Sequence, residues 1–167
     1  VHTGLYVIMG VSGSGKSLIG ARLARELHVE FVDGDDLHPP DNVRRMAAGI
    51  PLTDQDRKSW LMAIAARLHE AKRAGTGLVA SCSALKRRYR DLLRSSGDAK
   101  VQFVYLTGTR ALLAERMASR RGHFMPPALL ESQLDTLEAP APDEHAWVCD
   151  IRETPDTIVA GLVKRSA

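Results

Sequence analysis

The chain has 167 residues, 44% hydrophobic and 26% charged, with a formal net charge of +3 and a sequence pI near 9.1. A chain of this size reads as one domain, residues 1–167, and buries roughly 70% of its unfolded surface, enough for a core without disulfides or structural metal. The composition excludes a disordered chain. With no leader-like segment and no apolar run of membrane length, a cytoplasmic protein without a membrane partner is expected.

The first apolar run, Leu5-Tyr6-Val7-Ile8-Met9, is stopped by Gly10 and reads as a strand buried on both faces. It enters Gly10-Val11-Ser12-Gly13-Ser14-Gly15-Lys16-Ser17, which satisfies G-x-x-x-x-G-K-[ST]. Leu18, Ile19, Ala21, Leu23, Ala24 and Leu27 then recur at helical spacing, so the motif sits between a strand and a helix. In that context the glycines turn successive N–H groups inward as an anion nest, and the helix start adds its positive dipole end. Lys16 carries charge to the β- and γ-phosphates, and Ser17 offers a hydroxyl to Mg²⁺. No Asn-Lys-x-Asp guanine-reading element is present, which favours ATP over GTP.

Phe31-Val32 forms a second short strand ending at Asp33-Gly34-Asp35-Asp36. Ligands of a parallel sheet gather at the carboxyl ends of its strands, which places Asp33 and Asp35 near the γ-phosphate and an acceptor hydroxyl. One carboxylate orders the waters of Mg²⁺ while the other accepts the hydroxyl proton. A solvated acidic turn is the bland alternative. His38, beside Pro39-Pro40, reads by itself as a structural or exposed histidine. Arg44 and Arg45 are either a solvated helix face or an anion contact.

Thr53-Asp54-Gln55-Asp56 has capping-box spacing, and Trp60, Leu61, Ile64, Ala65 and Leu68 continue a long helix that Gly75 stops. Leu78–Cys82 is a third strand. Ser83-Ala84-Leu85-Lys86 follows it, and on a helix from Leu85 to Arg94 the cations Lys86 and Arg90 share a face. That pair suits a carboxylate- or phosphate-bearing acceptor, or else marks an exposed basic helix.

Val101–Leu106 is a fourth strand, Arg110–Ser119 a helix, Pro127–Leu137 another, and Ala146–Ile151 a fifth strand. Thr154-Pro155 starts the last helix. Between the two middle helices, Arg116, Arg120 and Arg121 precede Gly122-His123-Phe124 and Pro126-Pro127. This stretch is either a lid over the phosphates, at about 119–127, or a basic helix end. Cys82 and Cys149 lie far apart in strand-like stretches, without zinc spacing, and are expected to be buried free thiols. Strands alternating with helices predict an α/β fold with a parallel sheet covered on both faces. The arginine clusters by themselves suit nucleic acid as well as an anionic small molecule.

Together these blocks resemble the gluconate kinase family, P-loop relatives of shikimate kinase with a nucleoside-monophosphate-kinase-like fold. The resemblance runs from Met9–Ser17 through Asp33-Gly34-Asp35 with Leu37-His38-Pro39, then Asn42, Met46, Pro51-Leu52, Asp54, Asp56-Arg57 and Trp60-Leu61. It continues in Cys82–Lys86 with Tyr89-Arg90-Asp91, in Gly122-His123-Phe124, and in Gln133, Leu137-Glu138 and Pro140. It implies a five-stranded parallel sheet in order 2-3-1-4-5, a lid around Arg120–Phe124, and a homodimer.

It also implies ATP- and Mg²⁺-dependent phosphorylation of D-gluconate at its 6-hydroxyl, with no nucleic-acid partner. On that resemblance Gly10 to Ser17 hold the nucleotide, and Ser17 with Asp33, through water, serves the metal. Lys16, Asp33, Asp35, Arg120 and Arg121 are the expected catalytic groups. Asp35, His38, Arg45, Lys86, Arg90 and His123 are the expected substrate contacts, with the carboxylate of gluconate meeting Arg45, Lys86 or Arg90. Arg45 stands where the family pattern has a lysine, keeping the charge but changing its hydrogen-bond geometry.

Overall fold

The structure is a computed structural model that describes residues 2–95, 100–119 and 127–167. Its strands are β1 (Leu5–Met9), β2 (Phe31–Asp33), β3 (Leu78–Ser81), β4 (Val101–Thr107) and β5 (Trp147–Asp150). Its helices are α1 (Lys16–Leu27), α2 (Pro40–Ala47), α3 (Asp54–Ala74), α4 (Arg87–Arg94), α5 (Arg110–Ser119), α6 (Pro127–Thr136) and α7 (Pro155–Ser166). The strands form one sheet in the order β2-β3-β1-β4-β5, and every pairing is parallel.

β1 shows why its run is apolar without interruption. Leu5, Val7 and Met9 point into a core shared with Trp60, Leu61, Ile64 and Leu68 of α3. Tyr6 and Ile8 point to the other face, against Ile19, Leu23 and Leu27 of α1 and Ile158, Val159 and Leu162 of α7. A two-residue side-chain period on a strand covered on both sides leaves no position for a polar group. Each aliphatic side chain so buried stabilises the fold by about 1.5–3 kcal/mol.

Local signals set the helix ends. The Thr53 hydroxyl accepts from Asp56 N–H at 3.1 Å and the Asp56 carboxylate accepts from Thr53 N–H at 2.9 Å, a reciprocal cap on α3. Gly75 closes that helix with φ 66°, a left-handed turn that glycine enters without a Cβ penalty. Thr154 caps α7, with Pro155 in its first turn. α2, read from the sequence only as a possible basic face, starts on Pro40, whose missing N–H costs nothing there.

Two expectations need correction. Helix α4 begins at Arg87, so Lys86 is its N-cap and not a member of its face. Cys82 is buried, but Cys149, on the edge strand β5, is only half-buried; both are free thiols. No helix among the described residues is long and apolar enough to cross a membrane.

Candidate active site

The loops after β1, β2 and β3 leave the same end of three neighbouring strands. Between β1 and α1 the Gly10–Gly15 backbone turns back on itself around the Val11 carbonyl. That oxygen accepts from Ser14 N–H at 3.2 Å, from the Ser14 hydroxyl at 2.7 Å and from Lys16 Nζ at 3.1 Å. Gly13 has φ 84°, and a Cβ there would stand 2.9 Å from both the Leu113 carbonyl and Met117 Cγ of α5. Position 13 is therefore glycine by necessity, on backbone angle and on space. α1 has no side-chain cap and no acidic residue in its first turn, so its leading N–H groups and dipole are left to an anion.

Ser17 Oγ donates to Asp33 Oδ2 at 2.9 Å, joining the start of α1 to the end of β2. The other Asp33 oxygen accepts from Asp35 N–H at 3.0 Å and from Ser81 Oγ at 3.2 Å. This turn depends on Gly34, because a Cβ there would lie 2.1 Å from the Ser81 carbonyl. Any larger residue would push β2 off β3 and carry both aspartates with it. Asp35 is exposed beyond the turn. The Cys82 thiol at the end of β3 feels both Asp35 and Lys16, and burial pushes it up to about 12, so it stays protonated and inert. The structure thus brings Lys16, Ser17, Asp33 and Asp35 to the carboxyl end of the sheet, with an all-oxygen Ser17–Asp33 pair that matches the preference of Mg²⁺.

Three residues after Asp35, the His38 ring stacks on Trp60 with centroids 4.1 Å apart and planes 14° apart. Trp60 is itself anchored, its indole N–H donating to the Gly34 carbonyl at 2.7 Å. Burial, with Arg57 nearby, lowers His38 to about 4, so its imidazole is neutral at pH 7. Arg57 donates to the Tyr89 hydroxyl at 3.1 Å, and that hydroxyl donates to Asp54.

Arg45 and Lys86 are tied to the two aspartates of the first turn of α3. Arg45 pairs with Asp56 at 2.9 Å and Lys86 with Asp54 at 3.4 Å, both with part of the side chain open to solvent. Asp54 also pairs with Arg88, and its carboxyl is held at about 2, chiefly by the Tyr89 hydroxyl and then by Arg88 and Lys86.

Arg90 is corrected. Its side chain has no exposure and pairs with Glu144, itself 1% exposed, at 2.7 and 3.1 Å. A third bond runs to the Ala84 carbonyl at 2.8 Å. Every direction in which it would reach an acceptor is filled by protein. Its helix face looks into the interior, where the guanidinium pins the α4 turn to the segment before β5. Arg120, Arg121 and His123 lie outside the described residues.

Sequence reasoning passed over three groups. Arg57 is a cation beside His38. Asn42 is buried between His38 and α3. Gln133, on α6, accepts from the phosphate-loop amide of Ser12 at 2.7 Å. All three stand in the motif blocks quoted above, but neutral amides carry no charge signature, and Arg57 was one arginine among many.

A family model described as an AAA domain matches residues 5–140. A gluconokinase of Gluconobacter oxydans (strain 621H) is 46% identical over 158 residues, covering 95% of this chain and 88% of that one. The thermoresistant gluconokinase of Escherichia coli (strain K12) is 42% identical over 161 residues, covering 96% and 91%. The crystal structure of a gluconokinase from Sinorhizobium meliloti 1021 superposes with a TM-score of 0.88 at 48% identity, covering 98% of this chain and 94% of that one.

Proposed function

The chain belongs to the gluconokinase family, and from that premise we propose that it transfers the γ-phosphoryl group of ATP to the 6-hydroxyl of D-gluconate, giving 6-phospho-D-gluconate and ADP. The observation that carries this reading is the Ser17–Asp33 bond. It sets the nucleotide loop and the Asp33-Gly34-Asp35 turn together at the carboxyl end of the sheet, where donor phosphate and acceptor hydroxyl have to meet.

The nest of Gly10 to Ser17 holds the phosphates, and Lys16 compensates charge on the β- and γ-oxygens. Ser17 and, through water, Asp33 would hold Mg²⁺, which would supply charge neutralisation on the phosphate chain. Asp35 orients the 6-hydroxyl and takes its proton as the oxygen–phosphorus bond forms and the bond to ADP breaks. A loose transition state asks more of positioning than of base strength. The carboxylate of gluconate meets Arg45, Lys86 and Arg57, and His38 hydrogen-bonds the polyol. Arg120 and Arg121 bring charge to the transferring phosphoryl group from a lid at about 119–127, and His123 contacts the substrate. The same reading makes the chain one kinase domain, cytoplasmic and a homodimer.

The test is ADP release with Mg·ATP against D-gluconate, shikimate, AMP, other aldonates and no acceptor. Release with D-gluconate alone is expected. Release only with shikimate or AMP would keep a kinase and discard the substrate. Silence across the panel despite ATP binding would discard the transfer itself.

A further inference from the structure

Asn42 is 4% exposed and stands on α2, with its amide turned to the first turn of α3. Its amide nitrogen is 2.8 Å from the Asp56 carbonyl and 3.3 Å from His38 Nδ1. A backbone carbonyl can only accept, so the amide must turn its nitrogen to Asp56, and the two hydrogens of that nitrogen serve both neighbours. His38 Nδ1 is then an acceptor, and the ring proton sits on Nε2. Stacking on Trp60 fixes the ring plane, and the His38 N–H bond to the Asp35 carbonyl, at 3.4 Å, fixes its backbone.

We propose that Asn42 is a positioning residue that holds His38 in its neutral Nε2–H tautomer, so that the ring meets the acceptor substrate as a hydrogen-bond donor and never as a base. The inference rests on the reading above that His38 faces the polyol. It also decides a question that the sequence leaves open. The only lone pair of the imidazole is spent on Asn42, so the proton of the 6-hydroxyl goes to a carboxylate, and Asp35 is the group placed for it. A donor-only ring donates to a hydroxyl oxygen but offers no lone pair to an ammonium group, which disfavours amino-substituted sugar acids.

The tautomer is read directly by imidazole ¹⁵N NMR of the whole protein at neutral pH, the His38 signals being identified by their loss in His38→Gln. Nε2 protonated and Nδ1 bare is the expected pattern; a proton on Nδ1 overturns the proposal without any variant. Asn42→Ala should then mix the two tautomers and raise the KM for D-gluconate roughly three- to tenfold, leaving the KM for ATP unchanged. Asn42→Asp, whose carboxylate accepts from Nδ1–H, should invert the tautomer and raise that KM further. An unchanged KM for D-gluconate in a variant whose tautomer has shifted sinks the positioning role. Failure of the kinase reading looks different, since wild-type protein would then release no ADP with D-gluconate.

Discussion

Ser17 Oγ and Asp33 Oδ2 stand 2.9 Å apart, although 16 residues separate them. One end of that bond belongs to the phosphate loop and the other to the turn that presents Asp35, so on the proposed function a single hydroxyl registers the donor side with the acceptor side. Asp33 is fully engaged, with its second oxygen held by Asp35 N–H and Ser81 Oγ.

Asp33→Asn keeps an oxygen for those donors but removes the charge. It should leave the thermal midpoint within a few degrees while kcat falls by about 10²-fold or more and the Mg²⁺ needed for half-maximal rate rises. Asp35→Asn should lower kcat by about 10²-fold or more with little change in the Mg²⁺ requirement. A Mg²⁺ titration of both variants separates the roles. Equal Mg²⁺ curves would show that the division between the two aspartates is wrong.

Arg90→Ala should act on stability and not on substrate binding. Removing one partner of a buried pair leaves Glu144 with Arg94 as its remaining cation, at a cost of about 3–5 kcal/mol. The thermal midpoint should fall by about 10 °C, read by calorimetry. Below that midpoint the KM for D-gluconate should stay within about twofold of wild type. Arg90→Lys should not rescue, since one ammonium cannot bridge both Glu144 oxygens and the Ala84 carbonyl. A large, selective rise in that KM would return Arg90 to the acceptor site.

Acid should weaken the fold in two steps. His38 falls from its ordinary 6.5 to about 4 in the fold, through burial and then Arg57. As pH drops below about 6.5 the unfolded chain takes up this proton first, so stability is lost between about 6.5 and 4. Burial by itself would raise Glu144, but bonds from Arg90, Arg94 and the Ala141 N–H outweigh it and hold the carboxyl at about 2. Its contribution is complete above about 4.5 and vanishes as pH falls through about 2. Urea midpoints measured down this range should decline throughout, and His38→Gln should flatten the upper step alone. A His38→Gln curve parallel to wild type from neutral pH to about 4 would refute the assignment.

Much of this was legible in the sequence because its signals are local. β1 and α5 fall at the residues their patterns predict, and the Thr53–Asp56 cap and the Gly75 stop are written in adjacent residues. Arg90 was not legible. Four-residue spacing says that Lys86 and Arg90 share a face if both are helical, but not that the helix starts at Arg87, just past Lys86, or that the face looks inward. Its partner Glu144 is 54 residues away. Asn42 and Gln133 were missed for a related reason: an amide acquires a role only from what the fold sets against it, and the partner of Gln133 is 121 residues distant.

Gln133 offers the sharpest remaining test of how the nucleotide loop is held. Its Oε1 takes the Ser12 N–H at 2.7 Å from helix α6, while Lys16 and Ser14 hold the loop from within through the Val11 carbonyl. Gln133→Leu strips the loop of its outer acceptor and should raise the KM for ATP several-fold, with the KM for D-gluconate unchanged. Gln133→Glu keeps an acceptor for Ser12, so loop geometry is restored, but it sets a negative charge beside the phosphate site. Its KM for ATP should therefore rise more than that of the leucine variant at low salt and fall back toward wild type as ionic strength screens the repulsion. Steady-state kinetics at two salt concentrations check both. If the glutamate variant instead matches wild type at low salt, no phosphate charge lies within reach of Gln133, and the bond to Ser12 only supports α6.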